Sequence, residues 1–338
     1  MLFGNVAHFR RESQPLLVFF FWIDDMRHIP NLKDLSAEEI SEILDIAATI
    51  KADPKKYRQA LAGQSLAMLF QKTSTRTRVS FEVAMTELGG HGIYIDWTTS
   101  NFVLTRLSYE TEYLSRNVSC IMARLLHHSD LQEIMAHSQV PVINGCCERY
   151  HPCQALTDVL TIREHFDGDL SNARLTYLGV QNNVSNSLAI ICDKLGVNLT
   201  LAVAEENDNG ESTDADIEHI ITNSPNVHRT HDPREGVADA DFVYTDTWID
   251  MQFFNNPDFK EEKEKRLKQM MPYQLNRELL GQSTPKIMHD MPIHDGYEIS
   301  AEMVTDPEAI IYQQAENRLH AQKGLLYWLY REAGQLQD

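Results

Sequence analysis

The sequence predicts an α/β fold of two doubly wound parallel-sheet domains joined by helices. Three observations carry that expectation. The chain has 338 residues, too many for one average domain and enough to bury a core in each of two. Short apolar runs of strand length alternate with segments of helical periodicity, which implies parallel sheets covered on both faces. A composition of 43% hydrophobic and 23% charged residues is that of an ordinary globular protein.

The first 25 residues stand apart. Leu16 to Trp22 is apolar but far too short to span a bilayer, and Asp24 and Asp25 follow where a cleavage site would need small residues. Arg10-Arg11 precedes a run poorly formed for export. Residues 1–25 are read as an extension, with the folded part starting at Met26. Ser36 and Glu39 then form a capping box ahead of Ile40, Ile43, Leu44, Ala47 and Ile50, the stripe of an amphipathic helix. Ser65 to Phe70 is a strand. The helical pattern after it ends at Leu88 before Gly89-Gly90. Ile93 to Asp96, Cys120 to Arg124 and Val140 to Ile143 are further buried strands, and His151 to Phe166 is a joining helix. A second block starts near Gly168, with strands at 175–179, 199–204, 241–245 and 286–289 and a helix at 186–195. The acidic stretch Glu205 to Asp216 is read as a solvated loop or helix start. The last helix, about 312–332, carries Leu319, Leu325, Leu326 and Leu329 and is long enough to pack back on the first block.

The net charge of −19 argues against nucleic acid or an anionic membrane as partner, since either needs a basic face. An anionic ligand would need a local cluster of arginines and backbone N–H groups. Five cysteines, an odd number without C-x-x-C spacing, predict reduced thiols and a cytoplasmic protein. No G-x-G-x-x-G opens either block, and His127-His128 are adjacent and so point apart; neither a cofactor nor a metal is expected.

Phe70-Gln-Lys-Thr-Ser-Thr-Arg-Thr-Arg-Val79 lies between a strand and a helix, so Ser74, Thr75, Arg76 and Thr77 sit at a helix N-terminus. Unpaired N–H groups and the positive dipole end favour a phosphate there. The three hydroxyls add donors and Arg76 a bidentate cation. By itself such a segment is more often a capped helix with solvated arginines.

With His151-Pro-Cys-Gln154 and Gln314-Ala-Glu-Asn-Arg318, however, it resembles the aspartate/ornithine carbamoyltransferases, over about residues 31–329. Val79-Ser-Phe-Glu-Val-Ala-Met85, Leu88-Gly-Gly-His91 and Pro141-Val-Ile-Asn-Gly145 are similar to the ornithine branch in particular. The resemblance implies that Ser74, Thr75, Arg76 and Thr77 hold the phosphate of carbamoyl phosphate, with Arg318 from the last helix. It implies that Arg124 reaches phosphate and carbonyl oxygen, that His151 donates to that oxygen, and that Gln154 holds the carbamoyl nitrogen. Asn183, a better match than Asn182, and Asp246 would meet the amino-acid end of the acceptor. The implied domains are a carbamoyl-phosphate domain over 26–160, completed by the helix 312–335, and an amine-binding domain over 166–305. The implied assembly is a homotrimer, or a multiple of trimers, with each site completed by a neighbour's loop within Thr98 to Ser108.

The sequence departs from the ornithine pattern in the acceptor pocket. Asp250-Met251-Gln252 stands where Ser-Met-Gly is usual, and His289-Asp290-Met291-Pro292 where His-Cys-Leu-Pro is usual. Asn101 to Arg106 replaces an LGRGE-like segment. Carboxylates at Asp250 and Asp290 would repel the α-carboxylate of ornithine unless protonated or paired, with Arg106, Lys260 or a cation of a partner subunit considered for pairing. The expected reaction is carbamoyl transfer to the δ-amino group of L-ornithine, giving citrulline and phosphate. The alternatives are the same chemistry on another amine such as putrescine, or a paralogue that binds carbamoyl phosphate without turnover; the complete donor set argues against the last.

Overall fold

The computed structural model describes residues 26–167, 169–205, 214–249 and 259–336. The extension expected over 1–25, most of the acidic stretch after Glu205, and Asp250, Met251 and Gln252 lie outside the described residues.

The first sheet has four parallel strands: β1 (Ser65–Phe70), β2 (His91–Asp96), β3 (Cys120–Arg124) and β4 (Val142–Cys146), in the order β2-β1-β3-β4. Its helices are α1 (Ala37–Ala52), α2 (Thr75–Glu87), α3 (Leu107–Ser115), α4 (His128–His137) and α5 (Pro152–His165). Successive strand residues point to opposite faces, and the core divides accordingly. Leu66, Met68 and Phe70 of β1 pack in one apolar cluster with α1, α2 and α5. Ala67 and Leu69 pack in another with Leu131 and Ile134 of α4.

The second sheet has five parallel strands: β5 (Arg174–Gly179), β6 (Asn198–Val203), β7 (Val227–Thr230), β8 (Phe242–Thr245) and β9 (Lys286–His289), in the order β7-β6-β5-β8-β9. α6 (Asn183–Leu195) and α7 (Ala215–Asn223) lie against one face, and α8 (Pro233–Val237) belongs to the other. β7 was not anticipated. It is four residues long at the sheet edge, and only Val227 is buried, so it carries no apolar run. α6 begins three positions before the expected 186, because Asn182 rather than a later residue caps it, accepting from Val184 N at 3.0 Å and Ser185 N at 3.1 Å.

In both sheets the strand order reverses beside the first strand, at β1/β3 and at β5/β8. Such switch points open a crevice at the carboxyl ends of the strands, and the two crevices hold the charged residues described below. α5 joins the halves; its residues 152–162 are all buried, and Pro152 occupies its first turn, where the missing N–H is not needed. Lys33 Nζ adds a second tie, reaching Asp214 at 3.4 Å and Asp216 at 2.7 Å at the start of α7. Among the described residues no helix is long and apolar enough to cross a membrane.

The C-terminal helix, Ile311–Glu332, returns to the first half and packs on α1, α2 and α5. Gly324 makes the closest approach: a Cβ there would stand 2.6 Å from Ile43 O and 2.7 Å from Ala47 Cβ. Lys51 Nζ donates to Asn317 Oδ1 at 2.7 Å along the same seam. Gly324→Ala should therefore destabilise the chain by about 1–3 kcal/mol through overpacking, against the roughly 1 kcal/mol that alanine would gain in a free helix. Urea denaturation checks the sign.

Candidate active site

Ser74 caps α2: its Oγ accepts from Thr77 N at 3.3 Å. The cap places Thr75 and Arg76 in the first turn and buries Thr77. The Thr77 hydroxyl lies 3.2 Å from Ser74 Oγ and accepts from Arg318 Nη2 at 3.2 Å. Arg124 ends β3, in register with Phe70 at the end of β1. His151 caps α5, and its backbone N–H donates to Ser187 Oγ at 2.7 Å. Arg76, Arg124, Arg318 and His151 thus converge from four separate segments.

Their electrostatics follow from burial. The His151 ring is held well below the usual histidine range by desolvation first, then by Arg318, Arg124 and Arg76. It is neutral, with one N–H to give and one lone pair to receive. Burial also lowers Arg76 and Arg318, and the mutual repulsion of the arginines adds to it. Among the described residues, Arg124 Nε, Arg318 Nε and His151 Nδ1 are buried without a hydrogen-bond partner. Buried donors without partners are costly. A dianionic group placed here would satisfy donors and charge together.

A chain of amides leads from this cluster to the other half. Arg318 Nη1 donates to Gln154 Oε1 at 2.7 Å, and Gln154 Nε2 donates to Asp158 Oδ1 at 2.8 Å. Gln314 Nε2 donates to the same Oδ1 at 2.7 Å, and Gln314 Oε1 accepts from His289 N at 2.8 Å. Asp158 was not singled out from sequence. Its signal is weak: an acidic residue one helical turn beyond Gln154 on a helix that proves wholly buried.

On the acceptor side, Asp246 follows β8. Its Oδ2 accepts from Asn182 Nδ2 at 2.7 Å and its Oδ1 from Thr247 N at 2.6 Å. Asn182, not Asn183, is therefore the asparagine on Asp246; Asn183 Nδ2 donates to Cys147 O at 2.6 Å, toward the end of β4. His289 is fully buried and turned inward. Its Nδ1 accepts from Met291 N at 2.8 Å, so Nε2 bears the hydrogen and donates to Glu298 Oε1 at 3.1 Å. It braces the turn in which Met291 takes a φ of 61°.

Asp290 stands level with Asp246 at the ends of the paired strands β8 and β9, and its Oδ1 has no hydrogen-bond partner among the described residues. Burial, then Asp246 and Asp158, raise it well above the usual carboxylate range. The cation opposing that shift is Arg76. Arg106 instead lies over the Tyr109 ring, 5.7 Å from its centroid, and Lys260 begins the helix Lys260–Met270. A neighbouring cleft between that helix and the ends of β5 and β6, lined by Val180, Glu205, Arg266 and Tyr273, contains none of these converging groups.

Asp158 yields a test. Burial raises it to about 7, above its unfolded value near 4. Between those values the folded chain holds a proton that the unfolded chain has released, so this group's contribution to stability falls as pH rises through the window. Asp158→Asn keeps an oxygen for both glutamines and removes the titration. Relative to the parent, its unfolding free energy should gain about 2 kcal/mol between pH 5 and pH 8, read from denaturation curves at each pH.

Comparison with known proteins adds the chemistry. Residues 27–164 match the family description "Aspartate/ornithine carbamoyltransferase, carbamoyl-P binding domain", and residues 171–329 match the description "Asp/Orn binding domain" of the same family. The anabolic ornithine carbamoyltransferase of Pyrococcus furiosus is 40% identical over 303 residues, 87% of this chain and 93% of that protein. The catabolic ornithine carbamoyltransferase of Halobacterium salinarum is 36% identical over 312 residues, 91% of this chain and 100% of that protein. A solved structure of ornithine carbamoyltransferase from Pyrococcus furiosus superposes with a TM-score of 0.81 at 38% identity, covering 89% of this chain and 96% of the other.

Proposed function

The chain belongs to the aspartate/ornithine carbamoyltransferase family and is a carbamoyltransferase, and from that premise we propose that its acceptor is L-ornithine and its products are L-citrulline and phosphate. The observation that carries the reading is the opposition of two clusters. Three arginines and a neutral histidine with unmet donors face a carboxylate, Asp246, held by Asn182. The relatives named above are ornithine carbamoyltransferases.

In this reading the α2 N-terminus, Arg76 and Arg318 hold the phosphate, and Arg124 reaches both it and the carbonyl oxygen. His151 donates its single N–H to that oxygen as charge develops, and Gln154 takes the carbamoyl nitrogen. Asp246 receives the α-ammonium. The neutral δ-amine attacks the carbonyl carbon, the carbon–oxygen bond to phosphate breaks, and the proton lost by the amine leaves on the phosphate. No covalent intermediate is needed, because an acyl phosphate is electrophilic enough for a free amine. The donor half is taken as 26–160 with the C-terminal helix, and the acceptor half as 166–305. Five free, buried cysteines favour the cytoplasm.

A second reading, transfer to a diamine such as putrescine, is favoured by one observation, the Asp246–Asp290 carboxyl pair. Colorimetric ureido-product formation with ornithine, putrescine, lysine, agmatine and aspartate in parallel separates the two. Ornithine should dominate. His151→Ala should lower kcat about 10²–10³-fold, the usual loss for one oxyanion donor. Dominance of putrescine, with ornithine turnover raised by Asp290→Cys, would install the second reading.

We further propose a trimer. β2 is an edge strand, and Ile93 on it, with Val79, Val103, Leu104, Tyr109 and Tyr113 nearby in the chain, exposes large apolar side chains, Leu104 at 78%. An apolar set of this kind marks an association surface. Light scattering should return three times the chain mass, and Leu104→Asp with Tyr113→Asp should lower it.

A further inference from the structure

We propose that Asp290 is a specificity-determining residue that works as the neutral acid: it shares one proton with Asp246, so that the acceptor pocket carries one negative charge and admits a zwitterionic amino-acid head. The inference rests on the ornithine reading and says how a chain with aspartate at this position can satisfy it.

The pairing follows from the fold. β8 and β9 are parallel neighbours in which Thr245 is in register with His289, so Asp246 and Asp290 are each the first residue beyond the paired strands. Neighbouring strands lie about 4.8 Å apart, and two carboxyl groups leaving them at the same level meet. A proton shared between them relieves the repulsion of two ionised carboxylates in contact.

The surroundings decide which residue holds the proton. Asp246 receives two donors, from Asn182 Nδ2 and Thr247 N, and donors of that kind stabilise the ionised form. Among the described residues Asp290 Oδ1 has no donor: His289 Nδ1, 3.6 Å away, already accepts from Met291 N and has no hydrogen to offer. The charged and titratable groups facing Asp290 come from every element around it. Asp246 follows β8, Asp158 is on α5, Arg76 on α2 and Arg318 on the C-terminal helix. Tyr177 and Tyr244, on β5 and β8, are held in the phenol form by burial. His289 donates its one hydrogen to Glu298. Burial first, and then the neighbouring carboxyl groups, keep Asp290 protonated, and Arg76 opposes them from the donor side.

The two classes of acceptor use this pair differently. The α-ammonium of an amino acid takes Asp246, and its α-carboxylate then meets a neutral O–H rather than a second carboxylate. A diamine has no carboxylate to be repelled, and its second ammonium would favour ionisation of both groups. Loss of the shared proton should therefore weaken ornithine and strengthen a diamine.

The test is the pH profile of the KM for L-ornithine, from pH 6.5 to 9.5 at saturating carbamoyl phosphate, for the full chain and for Asp290→Asn. Taking the ratio of the two at each pH removes the titration of ornithine itself. At pH 7 the parent KM is expected to lie within about threefold of the variant's, since a neutral amide then replaces a neutral acid, with any later change of the ratio an increase with pH and the kcat ratio flat. A parent KM about tenfold or more above the variant's at pH 7 overturns the inference, as does a ratio that falls with pH, since either would mean the pair binds as a dianion. If Asp290→Asn does not fold, judged by thermal melting, Asp290→Ser is compared in the same way. Absence of citrulline at every pH overturns the ornithine reading itself, and the inference with it.

Discussion

Three guanidinium groups, those of Arg76, Arg124 and Arg318, are kept close together around a neutral histidine in a strongly acidic chain, Arg318 buried and the other two half-buried. Like charges so placed repel, and burial removes the water that would screen them. Each is therefore held by a rigid piece of the fold: the first turn of α2, the end of β3 and a buried face of the C-terminal helix. The partners that orient them are few and specific. Thr77 and Gln154 take two of the Arg318 nitrogens, while Asp290 and Asp246 lie on the acceptor side of Arg76.

That requirement explains why the chain is organised as it is. A parallel sheet whose strand order reverses leaves a crevice at its carboxyl edge, and this molecule has two, one per sheet. α5 sets the relation between them from within the core and carries His151, Gln154 and Asp158 on successive turns. The C-terminal helix leaves the second half near β9 and closes over the first, bringing Gln314 and Arg318 to the junction. Gly324 permits that closeness by leaving room for α1.

The amide chain through Asp158 gives the two halves a shared polar spine. One carboxyl oxygen receives both Gln154 and Gln314, so the group beside the donor cluster and the group bracing His289 are oriented by the same atom. The carboxyl groups on the acceptor side are graded: Asp246 receives a donor on each oxygen, Asp158 two amides on one oxygen, and Asp290 is left to share a proton. An anion cradle and an ammonium pocket can therefore lie next to each other with neither neutralising the other.

Much of this was legible in the sequence because its causes are local. Ser74 to Thr77 follow a strand and open a helix, so their backbone donors are placed by secondary structure alone, and the capping box at Ser36 announced α1 in the same way. Apolar runs of strand length revealed eight of the nine strands among the described residues, and β7 escaped for want of a buried face. The sequence by itself determined the two parallel sheets, the anion-favouring turn and the unusual aspartate at 290. Only the tertiary structure decided that Asn182 and not Asn183 holds Asp246, that Asp158 joins Gln154 to Gln314, and that Asp290 faces a carboxylate rather than Arg106. Those outcomes depend on which strand ends come level in the sheet and on where a returning helix lands. Such contacts join residues far apart in the chain, and no periodicity or cap records them.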